Sequence, residues 1–192
     1  MIVGIDYSMS SPAVCLYDNI KPFSFENVEI HFIAQAKSHE LYSDGILKGH
    51  SISLHKTQEE RYDILATWAM QFIQSKHDQV FIEGYSFSST GRVFNIAENT
   101  AILKHKLYRL GSMINTVPPT VIKKMATGKG NANKDMMYES FCKETNLKVE
   151  LKDRLSPNKK SIGSPISDIV DAYYICKYGF NTLLNDDLKE GL

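Results

Sequence analysis

"MIVGIDYSMSSPAVCLYD" (residues 1–18) predicts a β-hairpin, because two short apolar runs flank a serine-rich segment. Residues 1–6 and 12–18 are the expected strands, and residues 7–11 form the turn between them. Asp6 ends the first strand, next to side chains that are mostly apolar. Burying a carboxylate there costs free energy, so this residue needs a partner or a function.

The rest of the sequence predicts further strands and several helices. Three strands in succession, followed by strands that alternate with helices, predict an α/β fold with a mixed five-stranded sheet flanked by helices. At 192 residues the chain is expected to form one domain, 1–192. The remaining strands are predicted at 28–36, 79–85 and within 111–117, the helices after Thr57, within 86–111, at 119–127, at 132–145 and from Pro165 onward, and the loops at 37–56 and 151–165.

Two further segments place acids among apolar residues. The segment SPISDIVDAYYIC (164–176) predicts a buried helix that carries Asp168 and Asp171 on one face, where like charges repel each other. The strand QVFIEGY (79–85) ends its apolar run in Glu83. A shared proton, a basic partner or a metal ion would each offset the cost of these charges.

The four acids together favour a metal site. Asp6 and Glu83 both end apolar strands, and strand ends are where ligands bind in open α/β sheets. Mg²⁺ and Mn²⁺ prefer carboxylate oxygens as ligands. Two such ions about 4 Å apart can stabilise the attacking and leaving oxygens when a phosphodiester is cleaved.

Positive charge is concentrated in one part of a neutral chain. The formal net charge is zero, yet the 36 residues from Asn99 to Lys134 contain seven Lys or Arg and no Asp or Glu. Such asymmetry indicates an anionic partner such as nucleic acid. A solvated basic face is the simpler alternative.

Several classes of protein are disfavoured. Cys15, Cys142 and Cys176 are an odd number and widely spaced, which suits a reduced compartment and disfavours a structural zinc site. No apolar run approaches the roughly 20 residues of a membrane span. The strand predicted from the first residue leaves no room for a signal peptide, so a cytoplasmic location is expected.

Four segments follow one another in a recognisable order. They are a hairpin whose first strand ends in Asp (VGIDYSMSSPAVCLYD), a strand ending in Glu (DQVFIEGYSF), a helix followed by G-x-G and A-x-K (VIKKMATGKGNANKDMM), and a D-x-x-D-A helix (DIVDAYYIC). In this order and spacing, over nearly the whole chain, the sequence resembles the RuvC-type Holliday-junction resolvases of the RNase H-like superfamily. Tyr7-Ser8-Met9 stands where that family usually has Pro-Gly-Ser.

The resemblance implies a metal-dependent endonuclease that resolves four-way DNA junctions. Family members act as homodimers, and a two-fold dimer suits the two-fold junction. The resemblance also implies that two Mg²⁺ ions, replaceable by Mn²⁺, are bound. Their ligands would be Asp6, Glu83, Asp168 and Asp171, with Lys134 near the scissile phosphate and Lys123, Lys124, Lys129 and Lys134 on the DNA backbone.

Aromatic side chains after Glu83 are candidates for opening the junction centre. Tyr85 and Phe87 follow the predicted catalytic strand, and Arg92 adds a cation nearby. An aromatic ring there can stack on an unpaired base. Phe87 is expected to do so rather than Tyr85, which can instead cover the core.

Other functions remain open from the sequence. An RNase H-type or flap-cutting nuclease would share the four acids and differ in substrate geometry. An actin-like ATPase needs two related domains, for which 192 residues leave no room. A binding module without catalysis would leave the acids unexplained. A prokaryotic or viral origin is favoured.

Overall fold

A six-stranded mixed sheet forms the centre of the computed structural model, with the strands in the order β4-β3-β2-β1-β5-β6. The structure describes residues 1–18, 20–40, 43–85, 93–146, 150–156 and 160–190, and for 150 and 186–190 the backbone alone. The strands are β1 (Ile2–Asp6), β2 (Ala13–Tyr17), β3 (Val28–Ile33), β4 (Leu47–His50), β5 (Gln79–Glu83) and β6 (Met113–Val117).

The predicted hairpin is present, and it supplies the central strand. β1 pairs antiparallel with β2, and Asp6 lies opposite Ala13 at the turn. On its other side β1 pairs in parallel with β5, with Ile5 opposite Ile82. Asp6 comes directly after Ile5, and Glu83 comes directly after Ile82. Because the two strands are parallel and in this register, both acids lie at the same edge of the sheet.

Helices cover both faces of the sheet. One apolar core includes residues of the two-helix layer formed by α2 and α3, and the other includes residues of α4 to α7. Within the described part of the chain, no helix is both long enough and apolar enough to cross a membrane. The helices are α1 (Lys37–Glu40), α2 (Gln58–Met70), α3 (Val93–Leu110), α4 (Pro119–Thr127), α5 (Lys134–Thr145), α6 (Glu150–Leu155) and α7 (Ile166–Glu190), with a 3₁₀ turn at Phe25–Asn27.

The prediction of five strands and two long loops was incomplete. β4 lies within the segment 37–56 and pairs with β3, which makes the sheet six-stranded. Its four residues contain no apolar run that would predict a strand. Backbone pairing and the single buried Leu47 hold it in place. All but the first residue of α6 lie in the other predicted loop, where Leu151 and Leu155 are buried one turn apart. The last helix begins at Ile166 rather than at Pro165.

Gly4 allows α7 to approach the central strand closely. A Cβ atom on Gly4 would lie 2.3 Å from the backbone nitrogen of Cys176 and 2.5 Å from the backbone oxygen of Ala172. Asp168 is one helical turn before Ala172, and Asp6 is two strand residues after Gly4. One turn and two strand residues both span about 6 Å, so this contact brings Asp168 to the level of Asp6.

Candidate active site

The structure brings the four predicted acids together at one edge of the sheet. Asp6 and Glu83 come from the ends of β1 and β5, and Asp168 and Asp171 come from the first two turns of α7. Asp6 is 9 % exposed and Asp168 is 5 % exposed, whereas Glu83 and Asp171 are partly buried. The charges of the other three acids all act on Asp6.

A serine from the β1–β2 turn holds one of these carboxylates. The hydroxyl of Ser11 donates a hydrogen bond of 2.6 Å to Oδ2 of Asp168, and both residues are buried. Gln35 Nε2 donates to the same serine hydroxyl at 3.4 Å, and the Ser11 backbone nitrogen donates to Ser8 Oγ at 3.1 Å. The turn therefore orients Asp168 as well as connecting two strands.

Burial and mutual repulsion raise the pKa of three of the acids. The pKa of Asp6 is raised well above its usual value, first by burial and then by the charges of Asp168, Glu83 and Asp171. Burial raises the pKa of Asp171 to about 7, with Glu83 and Asp168 adding to the effect. Burial also raises the pKa of Glu83, although the positive charge of Lys123 opposes it. In the absence of a cation, part of this cluster is therefore protonated near neutral pH.

The chemistry of the donor set fits a hard divalent cation. Four carboxylates supply oxygen ligands, and a cation would relieve the repulsion that helps to raise the pKa values of Asp6, Glu83 and Asp171. Among the residues that the structure describes, no three Asp, Glu, His or Cys side chains form a group that could hold a metal ion as they stand. The acids can repel one another without being close enough to share a metal ion, because charges repel over longer distances than the roughly 2.0–2.6 Å of a metal–oxygen bond.

Two of the predicted lysines lie beside the acids. Lys123 belongs to α4 and Lys134 begins α5, and the positive charges of both act on Glu83 and Asp171. Lys134 Nζ donates a hydrogen bond of 3.1 Å to Ser167 Oγ, next to Asp168 in the chain. The turn between α4 and α5 begins at Gly128, whose φ of 78° favours glycine.

The other predicted DNA contacts are distributed differently. Lys124 and Lys129 are exposed on α4 and on the turn that follows it. Tyr85 is 37 % exposed and lies 5.5 Å below Lys104 Nζ, so it does not cover the core. Phe87 and Arg92 lie outside the described residues.

The acid-free stretch does not form one basic surface. Lys106 Nζ pairs with Asp63 of α2 at 2.9 Å, on the side of the sheet opposite α4 and α5. Lys104 donates to Thr116 Oγ1 at 3.0 Å and contacts Tyr85. Only part of the stretch, chiefly Lys123 and Lys134, is therefore next to the acids.

Sequence reasoning missed the polar residues that support this site. The sequence predicts Ser11 only as part of a turn, and no local pattern distinguishes Gln35 or Ser167 from other polar residues. The signal available was weak, because serine in a turn is common and its hydrogen bond to Asp168 joins residues 157 positions apart.

Comparisons with known proteins identify similar folds among solved structures. The structure of Thermus thermophilus RuvC matches with a TM-score of 0.56 and 12 % identity, over 95 % of this chain and 95 % of that chain. T. thermophilus RuvC in complex with a Holliday junction substrate matches with a TM-score of 0.56 and 13 % identity, over 96 % and 95 %. The yeast mitochondrial Holliday junction resolvase Ydc2 matches with a TM-score of 0.46 and 11 % identity, over 93 % and 76 %.

The two RuvC matches establish the fold. No protein-family model matches the sequence, and no curated protein matches it either. The two RuvC structures cover nearly the whole chain at low identity, so the predicted mixed α/β, RNase H-like fold is confirmed, with six strands instead of five.

Proposed function

We propose that this protein is a metal-dependent endonuclease that resolves four-way DNA junctions. The observation that carries the proposal is the meeting of Asp6, Glu83, Asp168 and Asp171 at one sheet edge, with Lys123 and Lys134 beside them. The RuvC fold supports it, since one of the matching structures is described as a complex with a Holliday junction substrate.

Each side chain has a role in this proposal. The four carboxylates would hold two Mg²⁺ or Mn²⁺ ions, which would supply Lewis-acid chemistry for activating a water and stabilising the leaving oxygen. Ser11 holds the orientation of Asp168. Lys134 binds a non-bridging oxygen of the scissile phosphate, and Lys123 binds a neighbouring phosphate. Lys124 and Lys129, both exposed, bind the DNA backbone farther away.

A second copy of the chain completes the proposed enzyme. Paired cuts across a two-fold junction need two active sites related by two-fold symmetry. The surface of α3 is a candidate contact, because Phe94 is 77 % exposed and Tyr108 is 75 % exposed. We expect Tyr108→Ser to lower the dimer fraction in light scattering, whereas an unchanged dimer would place the contact elsewhere.

The decisive experiment compares substrates of different geometry. Purified protein is incubated with a synthetic four-way junction, a linear duplex, a flap and an RNA–DNA hybrid, each with Mg²⁺ or with EDTA. We expect rapid cleavage of the junction with Mg²⁺, paired cuts on opposing strands and no cleavage in EDTA. Preferential cutting of the flap or the hybrid would favour the alternative RNase H-like nucleases and contradict junction resolution.

A further inference from the structure

An open cleft of about 810 Å³ lies beside two of the acids, because Asp6 and Glu83 are among the residues that line it. None of the described residues that line it belongs to α4 or α5. His55, Lys56 and Arg61, from the start of α2 and the segment before it, line another part. These three residues are far in sequence from Lys123 and Lys134, the lysines proposed to contact phosphates.

The cations of this cleft lack acidic partners in the described part of the chain. None of the ion pairs between described residues involves Lys56 or Arg61, and the buried Nε atom of Arg61 has no hydrogen-bond partner there. The neighbouring Glu60 is not among the residues that line the cleft, and its carboxylate accepts a hydrogen bond of 2.7 Å from the backbone nitrogen of Lys56. The positive charges are therefore available to an anion in the cleft.

Much of the remaining lining is polar, which suits a strand backbone. Ser8, Ser10, Gln58 and Asn95 contribute hydroxyl and amide groups, and apolar surface comes from Tyr7, Met9, Tyr85 and Ile96. Pockets for small molecules are usually lined mainly by apolar and aromatic side chains, whereas phosphates and sugars are bound by cations, hydroxyls and amides. The cleft is also continuous with the acids where the proposed reaction occurs.

We propose that this cleft binds the sugar-phosphate backbone of the DNA strand that continues from the scissile phosphate, with Lys56 and Arg61 each contacting one phosphate. The inference rests on the proposed nuclease function and extends it. The substrate would then be held on both sides of the acids, by Lys123 and Lys134 on one side and by the cleft on the other. The cations of the cleft offset the repulsion that Asp6 and Glu83 exert on a polyanion.

The test is the salt dependence of junction binding in EDTA, where no cleavage is expected. Each phosphate contact contributes about 0.9 to the slope of log affinity against log salt concentration on duplex DNA. We expect Lys56→Ala and Arg61→Gln each to flatten the slope by about 0.9, and the double variant by about twice that. Lys76→Ala is the matched control, because Lys76 is exposed before β5, at the opposite edge of the sheet, and should leave the slope unchanged.

Methylphosphonate substitutions, which remove the charge of a single phosphate, show which phosphates Lys56 and Arg61 contact. Single methylphosphonates are placed along the cut strand on each side of the cleavage site, and their effect on affinity is measured for each variant. We expect at least one substitution to weaken binding of the wild type several-fold and not to weaken the Lys56→Ala variant further. Lys56 is exposed, so this variant tests the cleft even if Arg61→Gln unfolds.

The outcomes separate the two proposals. In one outcome the wild-type protein binds and cuts the junction, but the salt-dependence slope is unchanged in Lys56→Ala and in a folded Arg61→Gln variant. That result overturns only the proposal that the cleft binds DNA. Wild-type protein that neither binds nor cuts branched DNA overturns the proposed function and the cleft with it.

Discussion

Ser11 and Asp168 are joined by a buried hydrogen bond of 2.6 Å, although 157 positions separate them in the chain. The bond connects the turn of the central hairpin to the first turn of α7. Gln35 Nε2 donates to the Ser11 hydroxyl and the Ser11 backbone nitrogen donates to Ser8 Oγ, so both the side chain and the backbone of Ser11 are held in place. The rotation of the Asp168 carboxylate is therefore set by the turn, before any cation or substrate arrives.

Ser11→Ala is expected to weaken metal binding without unfolding the protein. Residues that orient metal ligands typically change metal affinity or activity by about 10- to 100-fold when removed. We expect a loss of that size in Mn²⁺ affinity, measured by calorimetry on the protein without DNA, with a small change in melting temperature.

Ser112→Ala is the matched control for removing a buried hydroxyl. Ser112 is buried, and its hydroxyl has no hydrogen-bond partner among the described residues. The control should bind Mn²⁺ like the wild type. Equal Mn²⁺ affinity in both variants would show that Ser11 does not position Asp168.

The acids themselves are expected to serve catalysis and not DNA binding. Asp6→Asn, Glu83→Gln and Asp168→Asn should each abolish junction cleavage in Mg²⁺ while leaving junction affinity nearly intact. Removing a negative charge beside the phosphates can even tighten binding without metal. Glu144→Gln is a suitable control, because Glu144 bonds to Tyr173 and Lys177 and lies outside the cluster. Near-normal cleavage by any of the three variants would contradict the metal-site assignment.

The positions of the acids could be predicted because each contradicts its local pattern. Asp6 and Glu83 end apolar strands, and Asp168 lies on a buried helix, so the conflict is visible in the sequence. Ser11 and Arg61 create no such conflict, since both are ordinary residues for a turn and a helix. Their roles depend on contacts between distant segments, which local patterns do not encode.

The same limit applies to the fold. The central hairpin was predictable because its two strands are mostly apolar, as expected for strands in which every residue but Leu16 is buried. β4 was not, because only Leu47 of its four residues is fully buried and the backbone of β3 supplies its pairing. The distribution of the basic stretch over the fold was not predictable either, because Lys106 pairs with Asp63 and the sequence does not show which side of the sheet a lysine occupies.

Lys123 and Lys134 are expected to contribute differently from Lys106, although all three lie in the acid-free stretch. Lys123→Ala and Lys134→Ala should each flatten the salt dependence of junction binding by about 0.9 at most. Lys134→Ala should also slow cleavage, because its charge lies beside Glu83 and Asp171. Lys106→Ala should leave both quantities unchanged, since this lysine is paired with Asp63. If all three variants showed the same salt-dependence slope, the distance of a lysine from the acids would not determine whether it contacts a phosphate.

Asp171 is expected to destabilise the metal-free protein at neutral pH and above. Its pKa rises from 3.8 to about 7 in the folded protein, so the folded state binds its proton more tightly than the unfolded chain. This contribution to stability is present below about pH 4 and is lost as the pH rises towards 7 and beyond. In EDTA, Asp171→Asn should therefore raise the melting temperature at pH 8, by roughly 2–4 °C for each 1 kcal/mol gained.

The difference between the two proteins should vanish near pH 4, because wild-type Asp171 is then protonated. Lys177→Gln serves as a control, because Lys177 lies on the same helix and pairs with Glu144 instead of the acids. A melting-temperature gain that is the same at pH 4 and pH 8 would contradict the raised pKa.

Gly4→Ala is expected to separate α7 from the central strand and so disturb the site from a distance. The new Cβ atom would lie 2.3 Å from the Cys176 nitrogen, 2.5 Å from the Ala172 oxygen and 2.7 Å from the Cys176 Cα. All three are backbone atoms, so no side-chain rotation relieves the contact and the helix must move. Overpacking of this kind typically costs about 1–3 kcal/mol, and here it also moves Asp168 and Asp171 away from Asp6.

The expected result is a lower melting temperature together with a loss of Mn²⁺ affinity in the fraction that remains folded. Gly163→Ala is the matched control, because no atom lies within 4 Å of the position that its Cβ would take. The two measurements distinguish the effects of packing and position. A lower melting temperature with normal Mn²⁺ affinity would mean that the acids keep their arrangement when α7 shifts. A wild-type melting temperature would show that α7 does not rest on Gly4, and the placement of both helix aspartates would then be wrong.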